Sequence, residues 1–372
     1  MKLRSLFLSA LCALSMGVVF TACSNDDDDA WKDGSKVELP QTRAFILNEG
    51  SMGYNNANLI CFDWSKQGSG FITENCIFTQ QNDKQLGDTG NDITTVDDKL
   101  AVAVNGSNYV ALLSGAGLEL SRVSFADGVD GKAVQVRNLA YVDKALYVTT
   151  YGGLVLKIRV NGNVLEFNGD YVNIGTNLEG ICEAGGKLYA VVAGAYPNND
   201  QRVAIIPTNN FKTDAITYAE VMYNPDNILA VDEHVFVQGY GPYYDYPFGE
   251  LDTATNTYYL KGSATAMGAH DGKLYLAYSL TDWTTYATVT SLSMYNISTG
   301  ETNNSFFKNV PEEITNAFVY SISVNPYDGC IYVATSDYVN NGRVYVFASN
   351  GAYSGITFSS NGLNPNKIVF LK

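Results

Sequence analysis

A closed ring of seven four-stranded antiparallel blades, an all-β propeller, is the fold this sequence predicts, and three observations predict it. A short strand motif recurs seven times along the chain. Between the copies the residues read as alternating strands broken by Gly, Asn and Asp turns, with almost no helical period. The two chain ends carry complementary parts of a single blade.

The motif is plainest at Lys187-Leu-Tyr-Ala-Val-Val192, which follows the turn Ala184-Gly-Gly186. Its relatives begin at Lys99, Ala145, His234, Lys273 and Cys330, each just after an Asp-containing turn pair, and an earlier one, Ala44-Phe-Ile-Leu-Asn48, has no turn before it. Anchors at Ile46, Leu100, Leu146, Leu188, Val235, Leu274 and Ile331 lie 39 to 57 residues apart, with a mean of about 47. That spacing is close to one four-stranded propeller blade. A six- or eight-bladed ring would require a repeat hidden in the 54- or 57-residue interval.

Within a repeat the strands are named A to D from the centre outwards. Blade VI reads as A over Ala264–His270, B over Lys273–Ser279, C over Val289–Ile297 and D over Asn303–Lys308. Its A–B joint, Asp271-Gly272, suits a two-residue hairpin because both residues tolerate positive φ. Tyr at alternate strand positions supplies flat packing area between blades. The final segment, Asn364-Pro-Asn-Lys-Ile-Val-Phe-Leu-Lys372, matches the start of blade V, Asn224-Pro-Asp-Asn-Ile-Leu-Ala-Val-Asp232, so it reads as an A strand with no B strand after it. Blade I begins at B. Joining N-terminal B, C and D strands to the C-terminal A strand closes the ring and removes the exposed edges of an open array.

Ahead of the repeats stands a different kind of segment. Lys2 and Arg4 form a basic start, and Leu6 to Phe20 is an apolar run too short for a stable membrane span. Phe20-Thr-Ala-Cys23 resembles a bacterial lipobox, with Phe in place of the usual Leu, and Ser24-Asn-Asp-Asp-Asp-Asp29 resembles a surface-export signal. The same residues also fit an ordinary signal peptide and a solvated tether. The division expected is therefore a lipoprotein signal peptide over 1–22, an acidic flexible tether over 23–41 lipidated at Cys23, and the propeller over 42–372. Two or more acyl chains on Cys23 would anchor stably, where one would not.

The net charge of −15, falling to −17 without residues 1–22, argues against a nucleic-acid partner, because phosphate binding needs clustered Lys and Arg. Of the cysteines beyond Cys23, Cys61 and Cys76 flank a turn at Ser65–Gly70, so a cross-strand disulfide and plain burial are both open. Cys182 and Cys330 read as core residues. No CxxC pair is present to suggest zinc. The two histidines, His234 and His270, fall at A–B turns of adjacent blades and read as turn residues more simply than as a metal or acid–base pair. Asp127-Gly-Val-Asp-Gly131 is a turn more simply than a calcium loop. No nucleophile elbow, HExxH or phosphate-binding loop occurs. The expectation is a non-enzyme with no required cofactor; a propeller lyase or hydrolase is the enzymatic alternative.

The B–C loops are richer. They carry Tyr54 and Asn56, Asn108 and Tyr109, Tyr151, Tyr196 and Asn199, Tyr240, Tyr243, Tyr244 and Tyr246, Trp283 and Tyr286, and Tyr338. B–C and D–A loops share one face of a propeller, and the D–A side adds Arg137 together with Asn91, Asn138, Asn177, Asp226, Asn227 and Asn366 near the channel. Aromatic planes beside amides suit a large, partly apolar ligand decorated with amides or hydroxyls. Each aromatic taken singly is better explained by packing than by ligand contact; the cluster from Tyr240 to Phe248, with few aliphatic neighbours, favours a ligand.

The opening Phe45-Ile-Leu-Asn-Glu-Gly-Ser-Met-Gly-Tyr-Asn-Asn-Ala-Asn-Leu59, the lipobox with its Asp run and the seven repeats resemble the YncE-like surface propellers of Bacteroidetes. Within that group the chain is similar to the BtuG-type cobalamin-binding lipoproteins. The resemblance spans the whole mature chain and implies an outer-membrane, surface-exposed lipoprotein. Such a protein would capture cobalamin or another corrinoid as transported ligand and pass it to a TonB-dependent outer-membrane transporter of BtuB type. No motif carries individual cobalamin contacts across, so the site residues above rest on the loop argument. A glycan-binding propeller and an adhesive or structural surface propeller are the alternatives.

Overall fold

The computed structural model describes residues 35–372. The signal-peptide region, Cys23 and the Asp run lie outside the described residues. From Arg43 onward the chain forms seven antiparallel sheets arranged as a seven-bladed propeller. Blade IV runs from A (Leu178–Ala184) through B (Lys187–Ala195) and C (Asn198–Pro207) to D (Thr217–Glu220). Blades II, V, VI and VII repeat that four-strand order, and blade III splits its outer strand into Val164–Glu166 and Tyr171–Asn173. Asp271 and Gly272 have φ of 47° and 67°, the two positive values a tight hairpin between right-twisted strands requires.

The ring closes as the termini suggested. Pro365–Leu371 is strand A of blade I and pairs antiparallel with strand B, Arg43–Asn48, with Ala44 opposite Phe370 and Ile46 opposite Ile368. Strand C, Asn58–Asp63, completes the regular part. The Trp64 indole N–H donates to the Leu371 carbonyl at 2.7 Å, fastening the last strand from the side. The D position is held by residues 71–73 through a single bridge between Phe62 and Ile72.

Three local expectations are corrected. Residues 65–70 do not form the turn of a regular hairpin: Trp64–Lys66 is a 3-10 turn, and Cys76 precedes a short helix, Ile77–Asn82. Both Cys61 and Cys76 are free thiols, the latter accepting the Leu59 N–H at 3.4 Å. Strand D of blade VI is Glu301–Asn303 alone, and strands B and C run longer than expected, over Lys273–Asp282 and Ala287–Asn296. The chain leaves strand geometry after Asn303 so that the consecutive Phe306 and Phe307 can both pack inward, Phe307 edge-on to Phe347 at 5.0 Å and Phe306 against Tyr275 at 5.7 Å. Strict alternation would bury only one of the two. Finally, the end of the expected flexible tether is held: the Lys36 N–H donates to Gln81 at 2.8 Å, and its ammonium pairs with Asp83.

Apolar clusters fill the gaps between neighbouring blades. Leu146, Val148 and Leu156 of blade III meet Ala101, Ala103 and Leu112 of blade II, and Cys182, Tyr189 and Val191 of blade IV meet Val235 and Val237 of blade V. Blade VII meets blade I through Tyr332, Phe62 and Phe370, the last two rings lying 5.7 and 5.2 Å from Tyr332. The inner strands approach closely enough that a Cβ on Gly268 would lie 2.7 Å from the Ile322 carbonyl of the next blade. No helix among the described residues is long and apolar enough to cross a membrane.

If the last strand closes the ring, Phe370→Ala should destabilise the protein by about 3–5 kcal/mol, the range for emptying a buried aromatic site. Removing residues 365–372 should abolish the single cooperative urea transition. A truncated chain that kept the parent midpoint would mean the ring is held closed elsewhere.

A funnel-shaped candidate ligand site at the channel mouth

The inner strands share one irregularity. In six of the seven blades, strand A carries unpaired residues in its first turn, so the register with strand B slips there. Asn366 is the unpaired residue of blade I, Asn91 of blade II, Asp226 of blade V and Tyr320 of blade VII. In blade III Arg137 and Asn138 fall within the slip, and in blade IV Glu179 and Gly180. A bulge re-aims the side chain that alternation would place elsewhere. Here all six positions, Asn91, Arg137, Glu179, Asp226, Tyr320 and Asn366, line one cavity of about 690 Å³ at the channel. In sequence each stands two residues before an Ile or Leu: Ile93, Leu139, Ile181, Ile228, Ile322 and Ile368.

Four of the six are bonded to one another. Asn366 donates to the Asn91 carbonyl, Asn91 donates to the Arg137 carbonyl at 3.2 Å, and the Arg137 guanidinium donates to the Asn91 side chain and to Glu179. The Arg137–Glu179 ion pair is 2.5 Å and mostly buried. Tyr151 lies under the guanidinium, 4.4 Å from ring centre to Cζ. A little lower, Lys367 pairs with Asp92 at 2.8 Å, and Asp92 also accepts the Leu139 N–H at 2.8 Å. Across the funnel, Glu49 accepts the Tyr320 hydroxyl.

The wall holds four carboxylates, Glu49, Asp92, Glu179 and Asp226, against two cations, Arg137 and Lys367. Burial raises the Glu49 and Glu179 carboxyls above their ordinary values, opposed at Glu179 by Arg137. Asp226 is pushed up to about 7, first by burial and then by Glu179, with Arg137 opposing and Glu49 adding. The Tyr240 phenol is raised chiefly by Asp226. The funnel is thus an acidic, phenol-edged cup.

The residues expected to bind ligand divide into three groups. Arg137, Tyr240 and Tyr338 line the funnel itself. Tyr54, Tyr196, Tyr243, Tyr244, Trp283 and Tyr286 stand exposed on the loops of the same face, with Tyr196 90% and Tyr243 87% accessible. Trp283 and Tyr286 sit on a hairpin whose strands stay paired out to Asp282 and Ala287, and Tyr196 tips another paired out to Ala195 and Asn198. The third group serves the scaffold. Tyr109 is buried in strand C of blade II, its hydroxyl bonded to the Leu86 carbonyl and its ring covered by Arg122 at 3.6 Å, so it does not reach the face. Asn108 clamps its turn to Phe125 and Val136 at 2.8 and 3.3 Å. Asn56 accepts the Ser51 N–H at 2.8 Å and folds its own loop, and Asn199 is paired opposite Gly194 in a hairpin. Tyr151 packs its ring beneath the Arg137 guanidinium, Tyr246 is half-buried against Tyr240 at 5.8 Å, and Phe248 is core.

Of the D–A residues, Asn91, Asn138, Asp226, Asn227 and Asn366 line the funnel. Glu49, Glu179 and Tyr320 also line it and were not among the expected residues. Glu179 and Tyr320 were findable, because they occupy the same repeat position as Asn91 and Asp226; Glu49 follows strand B and has no such marker. The histidines belong to the other end of the blades, where His234 Nδ1 lies 2.6 Å from Glu250 and His270 lines a smaller cleft with Tyr327 and Asp328. Among the described residues no group of three or more His, Cys, Asp or Glu is arranged to hold a metal ion.

No family model matches the sequence, and no curated protein sequence matches it. Solved structures do align with it. One titled as the structure of U3-55K is 14% identical with a TM-score of 0.47, covering 69% of this chain and 76% of that one. A streptogramin B lyase is 13% identical with a TM-score of 0.48, covering 76% and 82%. The computationally designed Ika8 protein is 10% identical with a TM-score of 0.49, covering 89% and 90%. At such identities these likenesses carry nothing about ligand or activity.

The Asp226 geometry has a consequence for stability. The fold favours the neutral acid, so stability present at low pH is lost as pH rises from the unfolded carboxyl range through about 7. Asp226→Asn should therefore melt higher than the parent at pH 8 and show a smaller gain at pH 5, the difference growing by at most about 1.4 kcal/mol per pH unit. Thermal unfolding at the two pH values checks this, and an equal effect at both would place the carboxyl in water.

Proposed function

We propose that this chain is a cell-surface binding protein, held to the outer membrane by a lipid on Cys23. Its channel-mouth face captures cobalamin or another corrinoid and passes it to a TonB-dependent outer-membrane transporter of BtuB type. One observation supports the reading above the others: exposed aromatic side chains from five blades, Tyr54, Tyr196, Tyr243, Trp283 and Tyr338 among them, stand around a funnel of about 690 Å³ walled by amides, phenols and carboxylates. Flat apolar rings beside convergent hydrogen-bonding groups are what a corrin edged with amides would need. A corrinoid exceeds the funnel and would lie across its mouth with one edge inserted, reaching the loop tips of blades V and VI.

The hairpin tip carrying Trp283 and Tyr286, both about three-quarters exposed, also suits stacking on a sugar ring, which makes a glycan the second reading. Calorimetric titration of the protein with cobalamin, cobinamide and a polysaccharide separates the two. Nanomolar or tighter binding of a corrinoid is expected; no heat or spectral change with micromolar protein would end the corrinoid reading. Replacing Tyr243 and Tyr244 together by Ala should weaken corrinoid binding at least tenfold, since each exposed aromatic contact contributes on the order of 1 kcal/mol, while the thermal midpoint moves little. A large loss of stability would assign the pair to packing.

A further inference from the structure

The ring of bulge residues is bonded on one side and open on the other. From blade I to blade IV it is closed by the chain of contacts through Asn366, Asn91, Arg137 and Glu179. Both cations of the wall are already engaged, Arg137 by Glu179 at 2.5 Å and Lys367 by Asp92 at 2.8 Å. From blade V to blade VII no such chain exists. Asp226 lines the funnel there, and among the described residues it accepts no hydrogen bond and joins no ion pair. The Glu49 carboxylate accepts only the Tyr320 hydroxyl and, among the described residues, likewise has no paired cation. Around these two carboxylates stand phenol rings: Tyr240 beside Tyr246 at 5.8 Å, and Tyr320 edge-on to Tyr338 at 5.8 Å.

We propose that this open half, Asp226 and Glu49 within the Tyr240, Tyr320 and Tyr338 rings, is a seat for an organic ammonium group. Carboxylates give charge-assisted hydrogen bonds to ammonium N–H donors, and tyrosine faces attract the cation through their quadrupoles. An anion would meet an uncompensated negative wall, and a neutral group could hydrogen-bond there but would bring no charge to balance it. The proton that Asp226 carries near neutral pH stands in for the missing cation, so an ammonium entering the seat displaces it. The seat is defined by charge and goes beyond the corrinoid reading, standing or falling separately from it.

The test uses the full-length chain and three probes of one shape: benzylamine, benzyl alcohol and benzoate. Benzylamine should bind at least tenfold more tightly than benzyl alcohol, and benzoate should not bind. At pH 7 the benzylamine heat should vary with the ionisation enthalpy of the buffer, reporting proton release. Asp226→Asn should lower benzylamine affinity at least tenfold and abolish the buffer dependence, while Glu301→Gln, on the outer strand of blade VI, leaves both unchanged. Because Asp226→Asn is expected to be the more stable protein, a loss of binding with a retained melting transition cannot be charged to unfolding. Equal binding of amine and alcohol, unchanged binding by Asp226→Asn, or an equal loss in Glu301→Gln would each overturn the proposal. Cobalamin titrated separately reports on the corrinoid reading alone.

Discussion

The unpaired residues at the start of the inner strands are the constraint on which the channel depends. A regular A strand would divide its side chains between the two neighbouring blade interfaces, leaving the channel walled by backbone and small residues. Slipping the register in the first turn frees a side chain from that alternation and sends it to the axis. Six blades do this, and the six side chains are chemically mixed: two amides and an acid that bond sideways, one guanidinium, one phenol and one acid whose carboxyl has no partner among the described residues. Blade VI pairs Ala266 directly with Ala277 and has no slip. The slip is thus a backbone feature shared by six blades, and the side chains it carries make the ring asymmetric in chemistry.

That asymmetry decides what the funnel can hold. Symmetric decoration would give a ring of like charge that either stays hydrated or neutralises itself. Here Arg137 sits beside Glu179 and above Tyr151, so one flank is electrically complete and rigid. The opposite flank, at Asp226 and Glu49, is incomplete. Burial of a carboxyl without a counter-charge is unfavourable to the fold. The blade cores absorb this because the inter-blade clusters, such as Tyr332 between Phe62 and Phe370, are apolar and closely packed.

Much of the scaffold was legible in the sequence because it is written in repetition. Seven strand-B motifs, the Asp-Gly class of A–B turns and the match of Asn364–Lys372 to the start of blade V each recur or pair, and the ring formed accordingly. Departures came where one copy does something of its own. Phe306 and Phe307 pull the outer strand of blade VI out of register, and the stretch from Trp64 to Asn82 spends its residues on a 3-10 turn and a helix. The site was legible to a lesser degree. Asn91, Arg137, Asp226 and Asn366 stood out by residue type, whereas Glu179 and Tyr320 were hidden among ordinary strand residues and needed alignment of the repeats to surface. Tyr109 was over-read, because a loop aromatic and a core aromatic at the first residue of a strand are the same letter.

The proposed function requires the ligand to meet the face that carries the bulge ring. Hydrogen–deuterium exchange of the full-length chain with and without saturating cobalamin tests it most directly. Added protection is expected in the segments 224–246 and 318–338, which hold Asp226, Tyr240, Tyr320 and Tyr338, and in the hairpin tip around Trp283. Protection confined to the other end of the blades, around His270, Tyr327 and Asp328, would contradict it.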